Sequence, residues 1–399
     1  MRQPIRISHT RQSTLQSTSH MNLLVINAGS SSLKYQLFAM PLDVPLYRGQ
    51  IERITDHAAA FAQMLARLTD AETGVIHSPD AIDAVGHRVV HGGERFASAT
   101  LITQPVKEAI RALFALAPLH NPINYACIEL AEQTFPNARQ VAIFDTAFHQ
   151  TLPAHAYRYA LPAALYEQEG IRVYGFHGTS HQYVSRQAGQ WLGKPDAKLI
   201  SLHLGNGSSI TAVRAGHSVD TSMGFGPLSG LVMGTRSGDL DPSVIFHLID
   251  RGYSPEAVSQ LLNKQSGMLG LAGVSDMRDL RRAIEAGDER AALAGEVYAY
   301  RARKYIGAYA AALNGLDAIL FTGGIGENDV AMRAQICQGL DFLGIRLDAA
   351  ANNVPSRDLR AINAPDSPVQ ILVVPTNEEL EIARQSYGLL GEDTSLEAD

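Results

Sequence analysis

Only two cysteines occur among the 399 residues, Cys127 and Cys337, and they lie far apart. No disulfide framework and no metal-ligand spacing is readable from them. Both fall in apolar, helix-patterned stretches and read as small buried hydrophobes suited to a reducing compartment, so a cytoplasmic location is expected. No run is long and apolar enough to cross a bilayer as a helix, which leaves a membrane role without support. A dominant basic block is missing as well. The net charge is -7, and a nucleic-acid partner would require a basic face. No glycine-rich loop ends in Gly-Lys-Ser/Thr after a strand, so a Walker A loop is absent, and Gly224-Phe225-Gly226 lacks the third glycine of a dinucleotide fingerprint. Ser180 and His181 have no Gly-x-Ser-x-Gly elbow around them. His177 and His181 are spaced i, i+4 but lack the glutamate of a zinc-protease helix.

What is present is a chain long enough for two cores, with 46% hydrophobic and 18% charged residues. Residues 1–20 stand apart: Arg2, Arg6 and Arg11, no acid, many Ser and Thr. That composition mimics a transit peptide, but helical periodicity is poor and Met21 directly precedes a strand pattern. The segment reads as a disordered tail or a mis-assigned start.

Apolar strand-like runs then alternate with helical patterns, which argues an α/β class. Leu23 to Asn27 reads as a buried strand, followed by the turn Gly29-Ser30-Ser31-Ser32 and a return over Lys34 to Phe38. Leu199 to Leu204 repeats the scheme, with Gly205-Asn206-Gly207-Ser208-Ser209 as the turn and Ile210 to Arg214 as the return. Self-similarity so far apart in one chain points to a duplicated domain. Two ordinary hairpins would carry the same local signature. Further strands are expected at Ala84 to Val90, Gln140 to Phe144, Asp317 to Phe321 and Gln370 to Val374. Helices are expected at Ala58 to Leu68, Gln104 to Ala117, Glu256 to Leu262 and Ala291 to Leu313, with others starting at Val330 and Glu378.

Polar residues crowd the strand ends, where α/β folds place their sites. They are His87-Arg88-Val89-Val90-His91-Gly92-Gly93, His120-Asn121-Pro122, Asp145 with His149, and His177-Gly178-Thr179-Ser180-His181. Gly323 to Asn328 forms a strand-to-helix junction whose first N–H groups face an incoming anion. Gly234-Thr235-Arg236-Ser237-Gly238-Asp239 sets an arginine between glycines, allowing close approach to a planar charged ligand. Arg88 and Arg236 are thus candidate clamps for a carboxylate or a phosphoryl group.

At this point the chain resembles the acetate kinase family. The run Leu24 to Lys34 looks like that family's first signature, and Leu202 to Ser209 looks like its second. GHRVVHGG, LHNP, FDTAFH, YGFHGTSH, MGTRSGD, DMR, FTGGIGEN and PTNEEL follow the family pattern in order, so the resemblance spans about 21–390. It implies two duplicated ribonuclease H-like (actin-like ATPase) α/β domains around a nucleotide cleft, the fold of acetate and sugar kinases, heat-shock chaperone ATPases and actin. The expected division is 21–147, joined by the helix 379–399, and 148–378. The implied activity is reversible transfer of the ATP γ-phosphoryl group to acetate, giving acetyl phosphate and ADP, in a homodimer. The cofactor would be Mg²⁺, with Mn²⁺ as a substitute; another short carboxylate such as propionate is the alternative acceptor.

Carried over motif by motif, Asn27 and Glu378 are the implied metal ligands, and oxygen donors few in number suit nucleotide-bound Mg²⁺. Arg88 is the implied carboxylate-binding arginine. By the same resemblance His177 and Arg236 would stabilise the transition state, and Asp145 would serve in metal organisation or positioning. Val90, Leu119, Phe176 and Pro227 surround the methyl group. Lys34, the run His203, Leu204, Gly205, Asn206 and Gly207, the run Asp276, Met277 and Arg278, and the run Gly323, Gly324, Ile325, Gly326 and Glu327 face the nucleotide. A chaperone- or actin-like ATPase that binds partners would not need Arg88, His177 and Arg236 at its cleft. Slow hydrolysis unstimulated by carboxylate would mark such a protein.

Overall fold

The computed structural model describes residues 20–29 and 31–396, with side chains to 391. The tail assigned to 1–20 thus lies, save His20, outside the described residues, as does Ser30 in the first hairpin turn. Two six-stranded sheets organise the described chain. The first contains β1 (Met21–Ala28), β2 (Ser32–Met40), β3 (Pro45–Glu52), β4 (Ala84–Val89), β5 (Thr100–Leu101) and β6 (Arg139–Phe144). The second contains β7 (Lys198–Leu204), β8 (Ser208–Arg214), β9 (His217–Thr221), β10 (Ala318–Thr322), β11 (Arg360–Ala361) and β12 (Gln370–Val373). Their orders are β3-β2-β1-β4-β6-β5 and β9-β8-β7-β10-β12-β11, so the second sheet repeats the first strand for strand. β1, β4 and β6 run parallel, as do β7, β10 and β12, and each sheet opens with an antiparallel hairpin. The fold is a pair of duplicated ribonuclease H-like α/β domains, and the similarity of the two Gly-Ser hairpins in sequence reflects that duplication.

Central strands lose their amphipathic alternation because both faces are covered. Leu24 and Ile26 of β1 pack with Phe61, Met64 and Phe135, whereas Leu23 and Val25 pack on the other side with Ile143, Leu380 and Ile382. Each such apolar side chain contributes about 1.5–3 kcal/mol when fully buried. The last helix, Glu378–Leu396, returns to lie on β1, β2, β4 and β6. The helix Gly178–Leu192 covers the matching face of the second sheet. The two helices touch: Glu381, with no exposed surface, accepts both Arg186 Nη1 and Nη2 at 3.0 Å, and Gln385 donates to Gln182 at 2.8 Å.

The strands anticipated from periodicity are present with bounds that differ by one or two residues at an end: the two hairpins and β6 are longer, β4 and β12 stop one residue earlier, and β10 is shifted by one. β3 is not visible in the pattern: it is an edge strand that starts on Pro45, and only Ile51 along it is buried. Gly49 within it is required by packing, since a Cβ there would stand 2.1 Å from the Tyr35 ring. The helix anticipated over Gln104 to Ala117 stops at Ala112. Leu113, Phe114 and Leu116 instead donate to carbonyls three residues back, in successive tight turns that end the helix before Pro118 is reached.

Candidate active site

The carboxyl ends of the parallel strands of both sheets carry the polar residues, as expected of an α/β crevice. β1 delivers Asn27, β4 delivers Arg88 and the residue after β6 is Asp145. Arg88 Nε donates to Asp145 Oδ1 at 2.9 Å and its Nη2 to Oδ2 at 2.5 Å, a fork on fork. Arg88 Nη1 donates to Asn27 Oδ1 at 3.2 Å. These are three of the five N–H groups of the guanidinium, so two remain for a ligand. Burial opposes the charge on Arg88, but the Asp145 carboxylate outweighs it and holds the pKa above its ordinary value. Glu378 Oε2 lies 4.0 Å from Arg88 Nε, and Asn27 Nδ2 donates to Glu379 Oε1 at 3.3 Å. Burial, followed by repulsion from Asp145 and Glu379, pushes the Glu378 carboxyl up to about 7 despite Arg88 and Lys34 nearby.

The segment 174–178 is clamped against this cluster. Gly178 N donates to Asp145 O at 2.9 Å, and a Cβ on Gly178 would stand 2.2 Å from that oxygen. His149 Nε2 donates to Phe176 O at 3.0 Å while its Nδ1 accepts from Ser218 Oγ at 2.9 Å. His177 caps the following helix in the left-handed region, φ 55°, a strained choice for a residue with a Cβ. Its Nδ1 lies 2.9 Å from Ser209 Oγ, and its ring stacks on His203 with centroids 4.3 Å apart. Burial, then the neighbouring histidines, then Arg88 and Arg236 hold His177 well below the usual histidine pKa. His120 is lowered by burial and by the same two arginines. Arg88 and Arg236 therefore both lie close enough to act on His177 and His120.

Arg236 differs from Arg88 in its partners. Its Nη1 donates to Pro227 O at 2.9 Å and approaches Met233 Sδ at 3.5 Å. No carboxylate pairs with it among the described residues, and burial lowers its pKa. Its loop is held by Gly234 N donating to Asn206 O at 3.1 Å and Ser237 N donating to Leu262 O at 3.0 Å. A Cβ on Gly207 would stand 3.5 Å from His177 Nε2 and 3.7 Å from Arg236 Nη1, so that glycine borders both groups.

Val90 and Phe176 form a compact apolar cluster with Met223 and Met233. Pro227 adjoins it through its carbonyl on Arg236, whereas Leu119 is 61% exposed and stands outside it. Sequence reasoning missed the two methionines, because nothing in their local pattern separates them from core residues. His120 was noticed only as one of several polar strand-end residues.

Beside the second sheet opens a cavity of about 920 Å³. It is lined by Gly205, Asn206, Asp276, Met277, Arg278, Gly324 and Ile325, which brings residues of three separated segments together. Ser275, Arg281, Arg282, Asn328, Asp329, Val330 and Ala331 also line it. The arginines carry a readable signal, since Arg278, Arg281 and Arg282 share one face of the helix Met277–Glu285. His203, Leu204, Gly207, Gly323, Gly326 and Glu327 are not on its wall. Leu204 is fully buried, and Gly323, with φ +75°, turns tightly against its backbone. Glu327 is committed internally: its Oε1 accepts from Gly323 N at 3.0 Å and Thr376 N at 3.1 Å. That carboxylate occupies the first N–H of the junction expected to meet an incoming anion. Lys34, exposed on β2, is not on this wall either, and its charge acts on Glu378.

Residues 48–384 match the model of the Acetokinase family. The acetate kinase of Flavobacterium johnsoniae is 52% identical over 93% of this chain and 100% of its own length. That of Methanosarcina acetivorans is 51% identical over 92% and 96%. The crystal structure of Porphyromonas gingivalis acetate kinase superposes with a TM-score of 0.88 at 43% identity, covering 93% of this chain and all of that one. A propionate kinase from Francisella tularensis subsp. tularensis gives 0.86 at 42%, covering 92% and 98%. With duplicated sheets, a strand-end cluster of arginines and histidines, and whole-length similarity at this level, the chain belongs to the acetokinase family.

Proposed function

We propose that the chain transfers the terminal phosphoryl group of ATP reversibly to acetate, giving acetyl phosphate and ADP. The observation that carries this reading is the unequal pairing of its two arginines. Arg88 is neutralised and oriented by Asp145, while Arg236 is a partly buried cation without a carboxylate. A desolvated guanidinium without a counter-ion calls for an anionic ligand. The acceptor needs no general base, because a carboxylic acid of pKa about 4 is already ionised at neutral pH. Catalysis is then charge management along an in-line path.

In this reading Asp145 positions Arg88, whose two unused N–H groups take the acetate carboxylate. The methyl group faces Val90, Phe176, Met223 and Met233. Arg236 and neutral His177 face the transferring phosphoryl group, and the adenosine lies in the cavity between Asn206, Arg278 and Ile325. Residues 21–147 with the last helix, and 148–378, are the two lobes that bring these groups together.

Asn27 and Glu378 would hold Mg²⁺ together with phosphate oxygens and water. The donor set fits, being all oxygen, and the Glu378 carboxyl is crowded by Asp145 and Glu379, so a divalent cation would relieve their repulsion. When bound, the ion offsets charge on the nucleotide phosphates. A homodimer is supported by the helix Ser243–Asp250, on which no residue is buried and Phe246 is 66% exposed. A cytoplasmic setting is in keeping with two buried free cysteines.

The test is ATP turnover with acetate in the presence of hydroxylamine, which traps acyl phosphate as the hydroxamate. Acetate-dependent hydroxamate is expected. ATP hydrolysis indifferent to acetate would overturn the reading. Propionate is the second candidate, favoured by the flexible Met223 and Met233 in the pocket. It is expected to turn over with lower kcat/KM than acetate, and equal or better turnover would reverse the assignment.

A further inference from the structure

Beneath His177 a line of buried side chains runs back into the second sheet. Ser201 Oγ lies 2.9 Å from His181 Nδ1, His181 Nε2 lies 2.7 Å from Ser209 Oγ, and Ser209 Oγ lies 2.9 Å from His177 Nδ1. Ser201, His181 and Ser209 have no exposed surface. Ser209 bonds two ring nitrogens with one proton, so it donates to one and accepts from the other. The line therefore has only two proton orders.

In the first order, Ser201 O–H donates to His181 Nδ1, His181 Nε2–H donates to Ser209 Oγ, and Ser209 O–H donates to His177 Nδ1. Every buried hydrogen is used, and His177 carries its own proton on Nε2. In the reverse order, His177 donates inward and its Nε2 is bare. Ser201 then accepts from His181 and is left with a buried O–H that has no acceptor among the described residues. An unsatisfied buried donor carries its full desolvation penalty, so the first order is favoured. His177 Nε2 borders the same point beside Gly207 as Arg236 Nη1. With a proton there, two donors converge on one position.

We infer that Ser201, His181 and Ser209 form a proton-ordered relay that holds His177 as its Nε2–H tautomer, with Ser209 and His181 as positioning residues. A neutral imidazole in this state still donates a hydrogen bond to a phosphoryl oxygen, and burial keeps His177 and His181 neutral at pH 7. The left-handed backbone at His177 fits this arrangement, since it turns the ring onto Ser209 at the head of the helix. The effect on rate rests on the kinase reading above; the tautomer itself does not.

Two measurements separate them. Two-bond proton–nitrogen NMR of the full-length, histidine-labelled resting enzyme, with the His177→Gln variant to assign the signal, should show Nε2 protonated and Nδ1 bare. A resting His177 protonated on Nδ1 would overturn the relay whatever the activity. In kinetics, Ser209→Ala should lower kcat about tenfold or more, with KM for ATP and acetate changed less than about threefold. The loss should vanish in a His177→Ala background, because Ser209 acts through that ring. His181→Gln, which keeps a donor toward Ser209, should retain more activity than His181→Phe. Native kcat in folded Ser209→Ala, or equal losses in the Gln and Phe variants at matched melting temperatures, would remove the positioning role. A His177→Ala enzyme as fast as the native one, with the Nε2–H tautomer seen by NMR, would instead sink the catalytic reading of His177 and with it the relay's effect on rate.

Discussion

The two halves of this molecule share one sheet topology and carry opposite chemistry at their strand ends. At the first sheet acidic and basic groups are gathered and Arg88 is paired with Asp145, with Glu378 and Glu379 close by. At the second, histidines take that place: His203 is pushed down to about 4 by burial, its Nδ1 2.8 Å from Ser180 Oγ, and glycine turns leave backbone open beside it. A duplicated scaffold thus supplies equivalent positions that carry different side chains, and in the proposed reaction the first half would take the acceptor and metal and the second the nucleotide. Arg236 is the exception that joins them. It hangs on the neutral half, uncompensated, facing the charged half.

That contrast can be broken from either side. The largest effect is expected at Arg236. Arg236→Ala should lower kcat by on the order of 10²–10³ with a much smaller change in KM, as for loss of a preorganised electrostatic group. A native kcat would remove it from the mechanism. On the charged half, Asp145→Ala leaves Arg88 partly buried with only the more distant Glu378, 4.0 Å away, as counter-ion, and breaking such a buried pair costs up to about 3–5 kcal/mol. Urea unfolding should show it, whereas Arg236→Ala should leave stability nearly unchanged; equal destabilisation by both would erase the distinction between paired and unpaired arginines.

A third test uses pH. The Glu378 carboxyl, raised to about 7 in the folded protein, is protonated below that pH and is then a poor metal ligand. The Mg²⁺ concentration for half-maximal rate should rise as pH falls from about 8 to 6, and Glu378→Gln should abolish that slope. The same shift has a stability sign. The folded state binds more protons than the unfolded one between the unfolded pKa near 4.5 and about 7, so in the metal-free protein this group's contribution declines as pH rises through that window. Smaller still is the pocket effect. Val90→Ala should improve propionate relative to acetate by several-fold, within the ~1–3 kcal/mol that one methylene is worth. An unchanged ratio would place the methyl group elsewhere. Least of all should activity respond to Phe246→Asp, whose expected outcome is a monomer in sedimentation velocity.

Much of the site was legible because it sits where chain pattern changes. Asn27, Arg88, Asp145, His203 and Glu378 end or follow apolar runs, and the glycines of both hairpin turns mark where the backbone reverses. Edge elements were not legible: β3 has only Ile51 buried, and β5 and β11 are two residues long, too short for any period. Met223 and Met233 join Val90 and Phe176 only through folding, and Ser201 reads as a strand residue, Ser209 as part of a turn and His181 as one of a polar cluster, with nothing to link the three until their distances are known. Glu327 shows the converse: its motif suggested a ligand contact, yet its carboxylate holds its own helix start and the Thr376 backbone.

By itself the sequence determined the α/β class, the internal duplication and most of the residues at the strand ends, because alternation, glycine turns and apolar runs are local consequences of backbone geometry. Tertiary structure alone decided which charges are paired and which proton sits on which histidine. Those depend on partners from 20 to 352 positions away, as Ser201 is from His181 and Glu379 is from Asn27. Only packing sets the distance and the dielectric between such groups.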